Sequence, residues 1–164
     1  MGLDGRNIVA FDREPRLWNL YLELKGRGLI GPCRFSVASA ELFSPPSPFD
    51  AVVINDLFYS KYVDFYELIP RYIAAMKPGA VLYFDIQDER AGPIWRTFGK
   101  DGQFRRYDLK SVARVLHEAG LEIESIEPSL GIKGGLDGFL RRALWQTAGI
   151  ANSFVFVARK PKTL

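Results

Sequence analysis

Three acids, an amide and a tyrosine stand where they could do chemistry. Asp12 closes the run NIVAFD, Asn55 and Asp56 close AVVIND, Asp85 lies in AVLYFDI, and Tyr59 follows Asp56 by three positions. Each run is short, β-branched or aromatic, and ends in a polar group, which is how a buried strand meets solvent. A carboxylate at such a place accepts hydrogen bonds or takes a proton, and a phenol donates one. Tyr59 and Asp85 are therefore the candidates for a general base. Asp12 also has a plainer role, as an acid at a helix entry stabilised by the helix dipole. Metal chemistry is not expected, because the chain has one histidine, His117, and one cysteine, Cys33, too few soft ligands for a transition-metal site. His117 lies three residues before the end of a helix and off its apolar stripe, where a solvated imidazole is favourable.

The elements that must position these groups centre on residues 49–56, FDAVVIND, followed by a helical stretch and then MKPGAVLYFDI. Strand, helix and strand in that order make a βαβ unit of an open parallel sheet, whose ligands sit beyond the carboxyl ends of the strands. Within the helix, Phe65, Leu68, Ile69, Tyr72, Ile73 and Met76 follow the helical period. Pro70 falls inside that pattern and predicts a kink or restart near Ile69. Lys77-Pro78-Gly79 is expected to end the helix, with Lys77 near its negative pole and Gly79 in a left-handed turn. The next strand is expected at residues 80–86.

Before this unit, residues 7–12 read as a strand and residues 15–25 as a helix. Pro15 suits the first turn, and Leu17, Leu20, Tyr21 and Leu24 form its apolar stripe. Gly26 and Gly28 stop it. Residues 33–40 alternate, with Phe35 and Val37 inward, as an edge strand does, and residues 44–48, SPPSP, are a connector. After the unit, residues 87–106 show no period and carry Trp95, Phe98 and Phe104, which together with Trp145 suggest a pocket cover. Asp108 caps a helix with Leu109, Val112, Ala113 and Leu116 on its buried face. Residues 121–127 alternate as a strand with one wet face, residues 139–145 form a short apolar helix, and residues 153–158 a last buried strand.

A chain of 164 residues, 48% hydrophobic and 25% charged, is the size of one domain with a sizeable core. The net charge of +3 is mild and its cations are dispersed, so nucleic acid is not an expected partner. The lone Cys33 suits a reducing compartment, no targeting segment is legible at residues 1–20, and no apolar run approaches a membrane span. A cytoplasmic location is the expectation.

The ordered set, above all FDAVVIND with MKPGAVLYFDI and RRYDLKSVARVLHEAGLEIESIE with FVFVARK, resembles the class I S-adenosylmethionine-dependent methyltransferases from their second strand to their seventh. The resemblance covers essentially the whole chain. It implies one α/β domain, residues 1–164, with an open Rossmann-like, mostly parallel sheet in three αβα layers and a last strand running antiparallel between the fifth and sixth. It also implies S-adenosylmethionine as cofactor and a small-molecule or biomolecular methyl acceptor. Asp12 then accepts from the ribose hydroxyls and Arg13 lies near the adenine, unless it is plain surface charge. Ser39 and Ala40 stand where relatives commonly have Asp-Ala, next to the adenine amino group. Asn55 and Asp56 flank the methyl-transfer position, and Leu57, Phe58, Tyr59 and Trp95 border the substrate. Amine-methylating relatives carry two prolines after their Asn or Asp. NDLFY lacks them, so that substrate class is not carried over.

The family's Gly-rich loop does not precede Ile8. The expectation is that the first strand and helix are missing, leaving apolar strand edges that invite self-association. LGIKGGLDG at residues 130–138 is read as a flexible substrate-side loop in preference to a displaced cofactor loop. Two alternatives remain: a non-catalytic remnant or scaffold without cofactor, and a nicotinamide-dinucleotide domain, which the antiparallel-looking last strand disfavours.

Overall fold

The computed structural model describes residues 8–31, 33–44, 48–97, 104–129 and 135–162. The chain divides into two units, Met1–Ser44 and Pro45–Leu164.

In the first unit β1 (Val9–Asp12) leads through α1 (Pro15–Gly26) to β2 (Arg34–Val37). The strands pair in parallel, from Val9 opposite Arg34 to Asp12 opposite Val37. Pro15 occupies the start of α1, where its missing N–H has no helical partner, and Glu14 caps the helix by accepting from the Arg16 amide at 3.3 Å. Tyr21 holds α1 to β2. Its ring stacks on Phe35 at 5.3 Å and its hydroxyl donates to the Cys33 carbonyl at 2.6 Å. The expected stripe is only partly covered: Tyr21 is buried, while Leu20 is 46% exposed. Val37, expected inward, is also 46% exposed, because the rings of Trp18 and Tyr21 reach Phe35 at the middle of a four-residue strand.

The second unit contains β3 (Phe49–Ile54), α2 (Phe65–Ala74), β4 (Met76–Gln87), a 3-10 turn (Glu89–Ala91), α3 (Gly92–Thr97), α4 (Leu109–Glu118), β5 (Glu122–Pro128), α5 (Gly135–Ala148) and β6 (Ser153–Arg159). Its sheet has the order β3-β4-β6-β5. β3 and β4 are parallel, and β6 runs antiparallel to both neighbours, with Val157 opposite Tyr83 on one side and Ser125 on the other. The expected placement of the last strand is thus observed. Leu82, Phe84, Ile86, Phe156 and Ala158 are 0% exposed, and Phe84 stacks on Phe156 at 5.1 Å. β5, at the sheet's edge, keeps the half-wet alternation read from its sequence.

Four expectations need correction. Of the kink or restart expected near Ile69, the restart does not occur: α2 is one helix that runs through Pro70. The proline is exposed, and Phe65, Leu68, Ile69, Tyr72 and Ile73 are all buried, so packing on that face outweighs one missing N–H. Lys77-Pro78-Gly79 does not end the helix either, since Ala75 caps it and all three residues lie in β4. Gly79 does adopt a left-handed φ of +82°, but it does so within the strand, where the β3/β4 register shifts. The cation at the end of α2 is Lys160, which donates to the carbonyls of Ile73 at 3.1 Å and Met76 at 2.8 Å, while Lys77 pairs with Asp50 at 2.9 Å. Lastly, the stretch expected to be irregular, residues 87–106, contains the 3-10 turn and α3, and the apolar helix near residue 139 extends over all of α5. Among the described residues no helix is long and apolar enough to cross a membrane.

Candidate functional site

Parallel pairing of β3 and β4 sets Ile54 opposite Phe84, so the residues that follow Ile54 emerge beside Asp85. Asp56 then takes a left-handed φ of +54°, a conformation that Asp tolerates better than most side chains. Its amide donates to Asp85 Oδ1 at 2.8 Å. The chain turns, and Phe58, 0% exposed against Phe65 and Phe84, anchors the turn from below. Tyr59 comes back over the strand end and donates its hydroxyl to Asp85 Oδ2 at 2.5 Å. Both oxygens of Asp85 are thereby held by one loop. Tyr59 meets Phe104 edge-on at 6.5 Å, and its carbonyl accepts from the Arg105 amide at 3.0 Å.

Asp56 is exposed as a residue, but partial desolvation of its carboxyl, and then the neighbouring charge of Asp85, push that group above its ordinary value of 3.8. Burial and the bond to Asp85 push the Tyr59 hydroxyl far above its ordinary range, although a hydrogen bond with Ser153 works the other way. Tyr59 is consequently a neutral donor at physiological pH. Gln87, two residues beyond Asp85 and on the same face of β4 by strand alternation, is 4% exposed, and its Oε1 has no hydrogen-bond partner. A buried acceptor in that state usually has a water or ligand donor in use.

Beyond β4 lies an open cleft of about 490 Å³, lined by Glu89, Arg90, Gly92, Pro93, Arg96, Phe104 and Arg106. Of its arginines, Arg106 belongs to the basic doublet Arg105-Arg106, which sequence marks as a possible rim of a site, whereas Arg90 and Arg96 carry no mark in their spacing. The acid that organises them, Asp88, is 0% exposed. In sequence it looks like one more loop carboxylate.

The strand ends of the first unit carry a second set. Asp12 accepts the Ala38 amide on its carbonyl at 2.9 Å, and its Oδ1 accepts from the Glu14 amide at 2.8 Å. The helix-entry role is therefore real and occupies one carboxylate oxygen. Ser39 donates its hydroxyl to the Glu41 carboxylate. The Ser39 carbonyl accepts the amides of Leu42 and Phe43, closing a turn that buries Ala40 to 5% exposure. The Ser39 bond, chiefly, holds the Glu41 carboxyl below its usual range, and the charge of Arg13 adds to this. Glu41 thus places a carboxylate two residues past Ser39, in the turn that follows β2.

The structure brings Asp56, Tyr59 and Asp85 together in the second unit, with Asn55 exposed and Leu57 half-buried beside them. Asp12, Arg13, Ser39 and Ala40 lie in the first unit. Phe58 and Trp95, expected to border a substrate, are buried. Phe58 belongs to the aromatic core, and Trp95, 5% exposed, lies under the Arg141 guanidinium at 4.7 Å. Phe98 and the glycines at positions 131 and 134 lie outside the described residues. Among the described residues no group of three His, Cys, Asp or Glu side chains could hold a metal ion.

No protein-family model matches the sequence, and no curated protein matches it. Solved structures do match. The N-methyltransferase NodS from Bradyrhizobium japonicum WM9, in complex with S-adenosyl-L-homocysteine, aligns with a TM-score of 0.56 at 15% identity, over 94% of this chain and 66% of NodS. The chain thus spans just under two thirds of that protein. An S-adenosylmethionine-dependent methyltransferase from Clostridium acetobutylicum aligns with a TM-score of 0.63 at 14% identity, over 93% of this chain and 74% of the other. The [4+2]-cyclase SpnF aligns with a TM-score of 0.58 at 19% identity, over 98% and 77%. The chain has the fold of the class I S-adenosylmethionine-dependent methyltransferases, a mixed α/β Rossmann-like fold. The presence of a cyclase among the similar structures is a reminder that fold and reaction are separate matters.

Proposed function

We propose that this protein transfers a methyl group from S-adenosylmethionine to an acceptor bearing a nucleophilic oxygen, nitrogen or carbon. The observation that carries the reading is the junction of Asp56, Tyr59 and Asp85 at the carboxyl ends of β3 and β4, in a chain of this fold. Open α/β sheets bind their ligands at that end.

The acceptors of the first unit suit the cofactor's nucleoside. Asp12 retains Oδ2 for a ribose hydroxyl, and Glu41, ionised and held by Ser39, is an acceptor suited to the adenine amino group. When bound, the cofactor supplies a methyl already activated as a sulfonium. The chain's own task is orientation and exclusion of water. In the second unit Tyr59 keeps its proton and fixes Asp85. Asp56, exposed at the strand end and with its proton affinity raised, is the carboxylate best suited to receive a proton from the acceptor.

A second reading, a scaffold without cofactor, is favoured by one observation: Asp12 Oδ1 and the Ser39 hydroxyl both have local partners. Isothermal titration separates the two. Methyl transfer predicts saturable heat with S-adenosylmethionine and S-adenosylhomocysteine, weakened in Asp12→Ala. Absence of heat with both would favour the scaffold, and preference for NAD would overturn both readings.

A further inference from the structure

We propose that the cleft between the 3-10 turn, α3 and Phe104 is an oxyanion subsite that takes a carboxylate or phosphoryl group. Assigning that group to the methyl acceptor rests on the methyl-transfer reading. The anion site itself does not.

Three of the seven lining residues are arginines, Arg90, Arg96 and Arg106, set against Glu89 in the lining and the buried Asp88 carboxylate behind it, which is paired with Arg90. Two of the three are fixed by buried Asp88. Its carboxylate accepts from Arg90 Nε at 2.9 and 3.1 Å and from Arg90 Nη2 at 2.7 Å, and its carbonyl accepts from Arg106 Nη1 at 3.1 Å. Asn152 Oδ1 accepts from both terminal nitrogens of Arg106 at 3.3 Å. An arginine held this way has already lost much of its rotamer freedom, so less entropy is lost when it meets an anion. Asp88 is a positioning residue here, because it is absent from the cleft's lining and acts through the guanidinium groups.

The cleft adjoins the carboxylate junction through Phe104, which lines the cleft and packs against Tyr59. One end of this surface is cationic and the other, at Asp56 and Asp85, is anionic. An acceptor with an oxyanion at one end and its nucleophile at the other is thereby oriented, since the reverse placement sets like charges together.

The test is a titration of the full chain with inorganic phosphate and with acetate at constant ionic strength, read by amide chemical shifts, with chloride as control. The expected result is saturable shifts at Arg90, Arg96, Phe104 and Arg106 with one or both anions. Saturation by phosphate alone identifies a phosphoryl group, and by acetate alone a carboxylate. Arg96→Gln, on an exposed position, should weaken binding by about tenfold, the scale of one charge-assisted hydrogen bond. Asp88→Asn should weaken it while binding of S-adenosylhomocysteine is unchanged. Shifts that fail to saturate with either anion, or that persist undiminished in both Arg96→Gln and Arg106→Gln, would overturn the proposal. If Asp88→Asn does not fold, Arg96→Gln decides. Failure of S-adenosylhomocysteine to bind while an anion still saturates the cleft would sink the methyl-transfer reading alone.

Discussion

The hydroxyl of Tyr59 donates to Asp85 Oδ2 at 2.5 Å across 26 positions of sequence. The contact depends on two other features, the left-handed backbone at Asp56 and the buried ring of Phe58, which turn the chain back over the end of β4.

Tyr59→Phe removes the donor and leaves a part-buried carboxylate oxygen with one partner fewer. The expected loss is about 1–3 kcal/mol of stability, the range for hydrogen bonds to charged groups, measured by urea unfolding. With methyl transfer established, kcat should fall more than KM rises, since Asp85 would lose its fixed orientation. Unchanged stability would show that the contact is not held in solution.

Asp56→Asn tests the electrostatics. The folded state raises the Asp56 carboxyl above 3.8, so it binds the proton more tightly than the unfolded chain, and this group's contribution falls as pH rises. That contribution is complete below the ordinary value of 3.8 and is lost as pH climbs through the raised folded value. Asparagine keeps the left-handed backbone and carries no charge to repel Asp85. The variant should be more stable than the parent at pH 7, with the difference vanishing at acid pH. Urea midpoints across that range check it, and a variant less stable at pH 7 would contradict it.

Phe58→Ala should act on stability and not on substrate affinity. The ring is fully buried against Phe65 and Phe84, and deleting such a side chain typically costs about 3–5 kcal/mol. Thermal unfolding reads the loss. A folded variant with near-parental stability and altered ligand binding would return Phe58 to the substrate border.

Pro70→Ala should stabilise. The proline is exposed in the interior of α2, and alanine restores an N–H and a better helix propensity, up to about 3 kcal/mol where the backbone relaxes fully. A lower melting temperature would mean that α2 is shaped around the proline.

Much of the fold was legible because its causes are local. Pro15 starts a helix where its missing N–H needs no partner, and Asp108 caps one by accepting from the amides two and three residues on. The alternation of residues 121–127 reports the pleat of a strand with one wet face, whatever that strand pairs with. Lys77-Pro78-Gly79 was misread for the same reason, since its composition matches a helix end but cannot report that β3 pairs as far back as Met76.

Sequence by itself determined most of the strands and helices, though not all of their bounds, and that acids stand at the strand ends, because periodicity and end chemistry depend on near neighbours along the chain. Only the tertiary structure decided that Asp85 is gripped by Asp56 and Tyr59, that Glu41 accompanies Ser39, that Phe58 and Trp95 are core, and that buried Asp88 aims two arginines at a cleft. Each of these is a matter of partner choice. Sheet register and helix packing set partners, and residues that meet through them carry no mark of the meeting in their own local sequence.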